Sequence, residues 1–232
     1  MWSSRGHREG CVKLAHRLAR LQPKVTSAIS ERAFTPNRTC DLVRRKKFTE
    51  RKGVVVDQAA YTIRRAVLAD SAALAQVHDA TWRETYVGLM SEEMLDALTA
   101  DARTEVWERI LSGAGDFLAT TYVAERSGML VAFGSCGEQR DEAFREAGYG
   151  GEIAAVYVLK TDQRQGLGTR LMQTMMTDLR ERGLTPFTLW MPRENIPARS
   201  LYESLGGRLI GQRTLTRDQG VLAEVAYGWR PG

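Results

Sequence analysis

From Tyr61 onward the apolar and polar positions fall into regular runs. Tyr61-Thr62-Ile63-Arg64-Arg65 alternates, as a half-buried strand should. Asp70 or Ser71 can cap a helix whose positions Leu74, Val77, His78, Thr81 and Trp82 follow the helical period. Ser91–Leu98 and Asp101–Leu111 read as two more helices. Phe117–Glu125 and Met129–Gly137 are rich in apolar and β-branched residues, and Arg126-Ser127-Gly128 joins them as a hairpin. A Gly-rich loop, Gly148–Gly151, leads into a strand over Glu152–Leu159. The next helix opens in Gly166-Leu167-Gly168, carries Leu167, Leu171, Met172, Met175 and Leu179 on one face, and stops at Gly183. Phe187–Met191 is a strand. Asn195 then caps a helix with Pro197 in its first turn, where backbone N–H groups lack intrahelical partners anyway. Ala198, Leu201, Tyr202 and Leu205 share its face, Gly206-Gly207 ends it, and Arg208–Arg213 with Val221–Trp229 form a closing strand pair. This order predicts a mixed α/β sheet.

Length and charge add an appendage to that sheet. At ~150 residues per domain, 232 residues make one domain with a substantial extension, or two small ones. A hydrophobic content of 43% excludes a collagen-like or wholly disordered chain. The longest charge-free run, Ser127–Gly137, has 11 residues, against ~20 for a membrane span. No transmembrane segment is expected. The net charge of +5 divides sharply: residues 1–56 carry 14 Lys/Arg and 4 Asp/Glu, and residues 57–232 carry 19 and 24. The front quarter is therefore +10 and the remainder −5. Within the front, Cys11–Gln22 can form a short basic amphipathic helix, and turn-prone and basic pieces follow. Three readings stay open for it: an Arg-rich targeting sequence, an arm for nucleic acid or anionic membrane, or a disordered or mis-assigned start.

Cysteine and histidine carry little chemistry. Cys11, Cys40 and Cys136 are too far apart for a disulfide framework or a CxxC metal site. His7, His16 and His78 have no ligand spacing, so no metal is expected. Cys136 reads as a small buried hydrophobe and His78 as a packing residue.

The segment Glu152–Leu159, Lys160-Thr161-Asp162, Gln163–Thr169 is more informative. A strand feeds a loop that turns directly into a helix. The first N–H groups of such a helix lack partners, and its dipole adds partial positive charge. Glycines at 166 and 168 let the backbone approach an anion, so the place suits a phosphate or pyrophosphate. It is neither a Walker loop nor a Rossmann fingerprint, because GxxxxGK[ST] is absent and position 171 is Leu. Alone, this short motif arises by chance in about one chain in four or five.

About 30 residues on, Asn195-Ile196-Pro197-Ala198-Arg199-Ser200-Leu201-Tyr202-Glu203-Ser204-Leu205-Gly206-Gly207 follows a strand. With the QxxGxG segment, the closing strands ending in Tyr227-Gly228-Trp229, and Thr81–Leu89, the chain resembles the GNAT superfamily of acetyl-CoA-dependent N-acetyltransferases. The resemblance covers roughly residues 60–230 and is closest to bacterial small-substrate members. It implies a single domain over 57–232 with a GNAT-like mixed, mostly antiparallel sheet flanked by helices, behind a basic N-terminal extension over 1–56. It also implies cofactor contacts from Gln163, Arg164, Gln165, Gly166, Leu167, Gly168 and Thr169, with backbone N–H groups from Gln165 to Thr169 on the CoA pyrophosphate. Val156, Tyr157 and Val158 would run beside the pantetheine arm, with backbone pairing from Val156 and Val158, and Asn195 and Ala198 would touch it. Two positions depart from the family pattern: Lys160 replaces a common proline, and Arg164 fills a place that is often glycine.

For the chemistry, the resemblance makes Glu152 the base and Tyr202 the acid that protonates the departing thiolate. A strand-start Glu exposed to solvent and a core aromatic are the competing readings. Trp82 and Tyr86, one helical turn apart, would line the acceptor pocket or pack as core aromatics. The implied reaction is acetyl transfer from acetyl-CoA to a primary amine by direct attack in a ternary complex, in a cytoplasmic enzyme without a metal. A small-molecule acceptor is expected, with a protein N-terminus or lysine as the alternative. A homodimer is compatible with the family, and nucleic acid is expected only through residues 1–56. In a third reading the chain has lost catalysis, and it binds CoA or works through its basic arm.

Overall fold

The computed structural model describes residues 61–86, 100–114, 119–217 and 220–230. The basic extension over 1–56 and the helix expected over Ser91–Leu98 lie outside these residues.

The strands are β1 (Tyr61–Arg65), β2 (Ala119–Arg126), β3 (Met129–Glu138), β4 (Gly151–Val158), β5 (Phe187–Pro192), β6 (Arg208–Arg217) and β7 (Gly220–Trp229). Among the described residues they form one seven-stranded sheet in the order β1-β2-β3-β4-β5-β7-β6. Only the β4–β5 pair is parallel. The sheet is mixed and mostly antiparallel, as expected. Its β2–β3 hairpin turns at Ser127 (φ 51°) and Gly128 (φ 77°). Positive φ at both central positions matches the twist of the flanking strands.

The helices are α1 (Ser71–Tyr86), α2 (Ala100–Leu111), α3 (Glu142–Glu146), α4 (Leu167–Glu181) and α5 (Ile196–Ser204). Neither Asp70 nor Ser71 caps α1 as the sequence suggests. A 3₁₀ turn, Leu68–Asp70, runs straight into the helix, and the Asp70 carboxylate accepts from the Val67 N–H behind it at 2.8 Å.

Alternation along the strands divides the core into two layers. Tyr122 and Ala124 face α4 and α5, whereas Val123 between them faces α1 and α2. The α4 stripe Leu167, Leu171, Met172, Met175 and Leu179 is completely buried. Each such side chain contributes about 1.5–3 kcal/mol when buried. The methionines are therefore core residues. Cys136 is also buried in this layer, its Sγ 3.5 Å from Asp178 Oδ2, and burial pushes its thiol up to about 12. At neutral pH it is a packed thiol. On the other face His78 packs against Trp82, Trp107, Phe133 and Tyr157, with ring centroids 5.5–5.8 Å apart. No helix among the described residues is long and apolar enough to cross a membrane.

Candidate active site

The site begins where the parallel pair comes apart. β4 meets β5 at Gly151↔Phe187 and Glu152↔Thr188, and then the two strands diverge. On its other side β4 pairs Cys136↔Ile153 and Ser135↔Ala155, so Ala154 is an extra residue. Such a bulge bends the strand that carries it. Leu159 N–H donates to Val131 O at 3.0 Å. In an antiparallel ladder the backbone groups alternate in direction, so those of Tyr157 and Leu159 face β3 and those of Val156 and Val158 face the gap. The gap is a cleft of ≈ 620 Å³.

One mouth of the cleft is the loop before α4. Gly166, at φ 77°, precedes the first helical residue and offers no capping side chain. Arg164 is also left-handed, at φ 62°. That backbone explains why its place is often glycine: a Cβ there costs roughly 1–2 kcal/mol. The first bond into the helix runs from Arg170 N–H to Gly166 O at 3.1 Å. Among the described residues, no oxygen accepts from the N–H groups of Arg164 through Thr169. Gly168 has a second constraint, since a Cβ there would lie 3.2 Å from Leu201 Cδ2 on α5.

The expected cofactor residues divide here. Val156, Tyr157, Val158, Gln163, Arg164, Gly166, Gly168, Thr169, Asn195 and Ala198 all line the cleft. Gln165 and Leu167 do not. The Gln165 amide turns toward Tyr61, and the Leu167 side chain is core, so each offers the cleft at most its backbone. Gln163 Nε2 donates to the Val158 carbonyl at 3.0 Å. The Asn195 side chain accepts from Ala198 N–H at 3.2 Å and caps α5 as expected.

Glu152 and Tyr202 lie in the same cleft. Glu152 is 5% exposed, which overturns the solvent-exposed reading of a strand-start Glu. Its Oε2 accepts from Arg140 N–H at 3.0 Å and its Oε1 from Arg140 Nε. Burial raises its pKa, and Arg140 opposes that rise. Tyr202 is buried on the α5 stripe, edge-on to Tyr227 and Trp229. Burial, with Tyr157 nearby, lifts its hydroxyl well above the ordinary tyrosine value. Its core packing and its place in the cleft coexist.

Trp82 lines the cleft with Thr81 and Thr85. The backbone of Tyr86 ends α1 one turn further on. Sequence reasoning missed the charged end of the cleft, which holds Arg140, Trp190, Arg213 and Glu224. Arg213 Nε donates to Glu224 Oε2 at 2.6 Å, and its guanidinium carbon stacks 4.1 Å from the Trp190 ring centre. Trp190 Nε1 in turn donates to Asp141 Oδ2 at 3.3 Å. Arg213 and Glu224 are cross-strand partners in the β6–β7 register. The two oppositely charged positions were the signal available, once those strands were paired.

The family model for FR47-like protein matches residues 134–216, which include the cleft loop and α5. An uncharacterized N-acetyltransferase of Bacillus subtilis (strain 168), YuaI, is 30% identical over 169 residues, 72% of this chain and 92% of that protein. In fold, the chain is similar to yncA of Salmonella typhimurium, solved with its cofactor acetyl-CoA (TM-score 0.56, 23% identity, 74% of this chain and 94% of the other). It is also similar to the paia N-acetyltransferase of Thermoplasma acidophilum in complex with coenzyme A (TM-score 0.55, 17% identity, 71% and 97%). The 30% identity to YuaI over 92% of that protein, with the mixed sheet and the cleft loop that the resemblance implied, places this chain in the GNAT superfamily of N-acetyltransferases.

Proposed function

We propose that this chain transfers an acetyl group from acetyl-CoA to the primary amine of a small molecule, by direct attack in a ternary complex. The observation that carries this reading is the row of N–H groups from Arg164 to Thr169, without acceptors among the described residues, at the mouth of the cleft that also holds Glu152 and Tyr202. A pyrophosphate fits such a row, because unpaired N–H groups and the helix dipole both favour an anion. The acetyl-CoA and coenzyme A carried by the two structural neighbours support the same reading.

Acetyl-CoA, when bound, supplies the acetyl thioester. The chain supplies the rest. Backbone groups of Val156 and Val158 hold the pantetheine arm along the edge of β4, with Tyr157, Asn195 and Ala198 beside it. Gln163 releases the Val158 carbonyl as the arm arrives. A lysine-like amine of pKa ~10.4 is about 1 part in 2,500 neutral at pH 7, a cost of ~4.6 kcal/mol. Glu152 takes that proton, directly or through a water, and such a base contributes ~10²–10⁴-fold. Arg140 keeps the buried carboxylate ionised for the task. Tyr202 donates its proton to the departing thiolate and is restored by the second proton that the amine nitrogen gives up on becoming the amide. Trp82 and Tyr86 flank the acceptor.

Glu152 and Glu224 are the carboxylates at the charged end of the cleft, each paired there with an arginine. The working domain is residues 57–232, and the basic extension over 1–56 is dispensable for transfer. Thermal unfolding with and without acetyl-CoA tests this reading in the full chain and in one lacking 1–56. At 100 times Kd the ligand adds ≈ 2.7 kcal/mol of stability, so both should melt higher. No stabilisation at millimolar acetyl-CoA contradicts it.

A further inference from the structure

Tyr61 opens β1 at one edge of the sheet, yet its phenol reaches the loop that precedes α4. The residue is 4% exposed, and its hydroxyl lies 3.0 Å from Asp162 Oδ1 and 2.6 Å from Gln165 Oε1. One hydroxyl proton serves the two acceptors in turn. Asp162 is fully buried and is held further by Arg126 Nη2 at 3.1 Å and Thr161 Oγ1 at 2.6 Å. Past the loop, Arg170 Nη2 donates to the Tyr61 carbonyl at 3.0 Å. The segment from Asp162 to Arg170 is thus fastened to the first residue of β1 at three points. Between the fastenings stand the two left-handed residues, Arg164 and Gly166, and Gln165 is the residue between them. A sparsely populated backbone persists only where surrounding contacts over-determine it.

We infer that Tyr61 is a positioning residue for acetyl-CoA. Its hydroxyl, through Gln165 and Asp162, holds the N–H groups of Arg164–Thr169 in the array that receives the phosphates. The inference rests on the acetyl-CoA reading above. A donor array binds well to the extent that it is preorganised, because ordering it at the moment of binding subtracts from affinity. Without the hydroxyl the donors remain, but the loop must be ordered by the ligand.

The test is calorimetric titration of coenzyme A into the full chain, its Tyr61→Phe and Gln165→Ala variants, and the double variant, each also unfolded in urea. Either single substitution should raise the Kd about tenfold, and the double variant should bind no worse than the weaker single. A merely structural tyrosine would lower the urea midpoint and leave the Kd of the folded protein unchanged. That result overturns the inference. Should Tyr61→Phe fail to fold, Gln165→Ala answers alone, and an unchanged Kd there overturns it equally. A wild-type chain that does not bind coenzyme A overturns the acetyl-CoA reading itself.

Discussion

The Glu152 carboxylate accepts from both the backbone N–H and the Nε of Arg140 while it lines the cleft. Burial raises the Glu152 pKa from 4.5 and the arginine opposes the rise. The base works only when ionised, so kcat/KM should fall as the pH drops through this raised value. Arg140→Gln removes the opposing charge and should move that acid limb to higher pH, whereas Arg140→Lys should move it less. Glu152→Gln should lower kcat by ~10²–10⁴-fold and leave coenzyme A affinity nearly unchanged. Rate profiles of the three variants check this, and an acid limb unmoved by Arg140→Gln counts against Glu152.

Tyr202 is buried, its pKa is raised, and no hydrogen bond engages its hydroxyl among the described residues. A raised pKa keeps the proton on the oxygen throughout the neutral range, so no alkaline limb from Tyr202 should appear below pH ~10. Tyr202→Phe should lower kcat by ~10²–10⁴-fold with little change in coenzyme A affinity. A wild-type kcat in that variant would assign the proton donor elsewhere.

Arg164 and Gly166 both hold positive φ, but only one of them is glycine. Gly166→Ala should destabilise the fold by about 1 kcal/mol and weaken coenzyme A binding. Arg164→Gly relieves similar strain at some cost in unfolded-chain entropy, for a net gain of up to ~1 kcal/mol. It also removes a cation, so it should bind coenzyme A more weakly despite greater stability. Urea unfolding and titration, run together, separate the two effects.

His78 sits in its aromatic cluster with its pKa lowered to about 4 from 6.5, chiefly by burial, with the Arg103 charge adding and Asp79 opposing. The unfolded chain therefore takes up a proton that the folded chain refuses. Stability should be complete above pH 6.5 and decline as the pH falls from 6.5 to about 4, by on the order of 3 kcal/mol over the window. His78→Leu should flatten this decline. An unchanged slope would place the titrating group elsewhere.

Features written in consecutive residues were readable from the sequence. The α4 stripe from Leu167 to Leu179, the Asn195 cap and the strand–loop–helix segment around Gly166 are local patterns, and each stands close to where it was expected. Boundaries moved where pairing rather than pattern sets the end: β6 continues to Arg217 because β7 supplies partners that far. The five-residue α3 is too short to show a period. The site's long-range contacts were hidden for a different reason. Arg140 reaches Glu152 across the end of a strand pair, Arg213 meets Glu224 only in register, and Tyr61 finds Gln165 across 104 residues. Those contacts are products of the tertiary fold, and no single stretch of sequence carries them.

The most direct measurement is release of the coenzyme A thiol from acetyl-CoA across a panel of small primary amines, with Glu152→Gln alongside. Amine-dependent thiol release in the wild type, acetylated amine in equal amount, and a loss of rate of ~10²–10⁴-fold in the variant are the expected results. Binding of acetyl-CoA with no thiol released for any amine would contradict acetyl transfer to an amine, and an unchanged rate in Glu152→Gln would contradict Glu152 as the base.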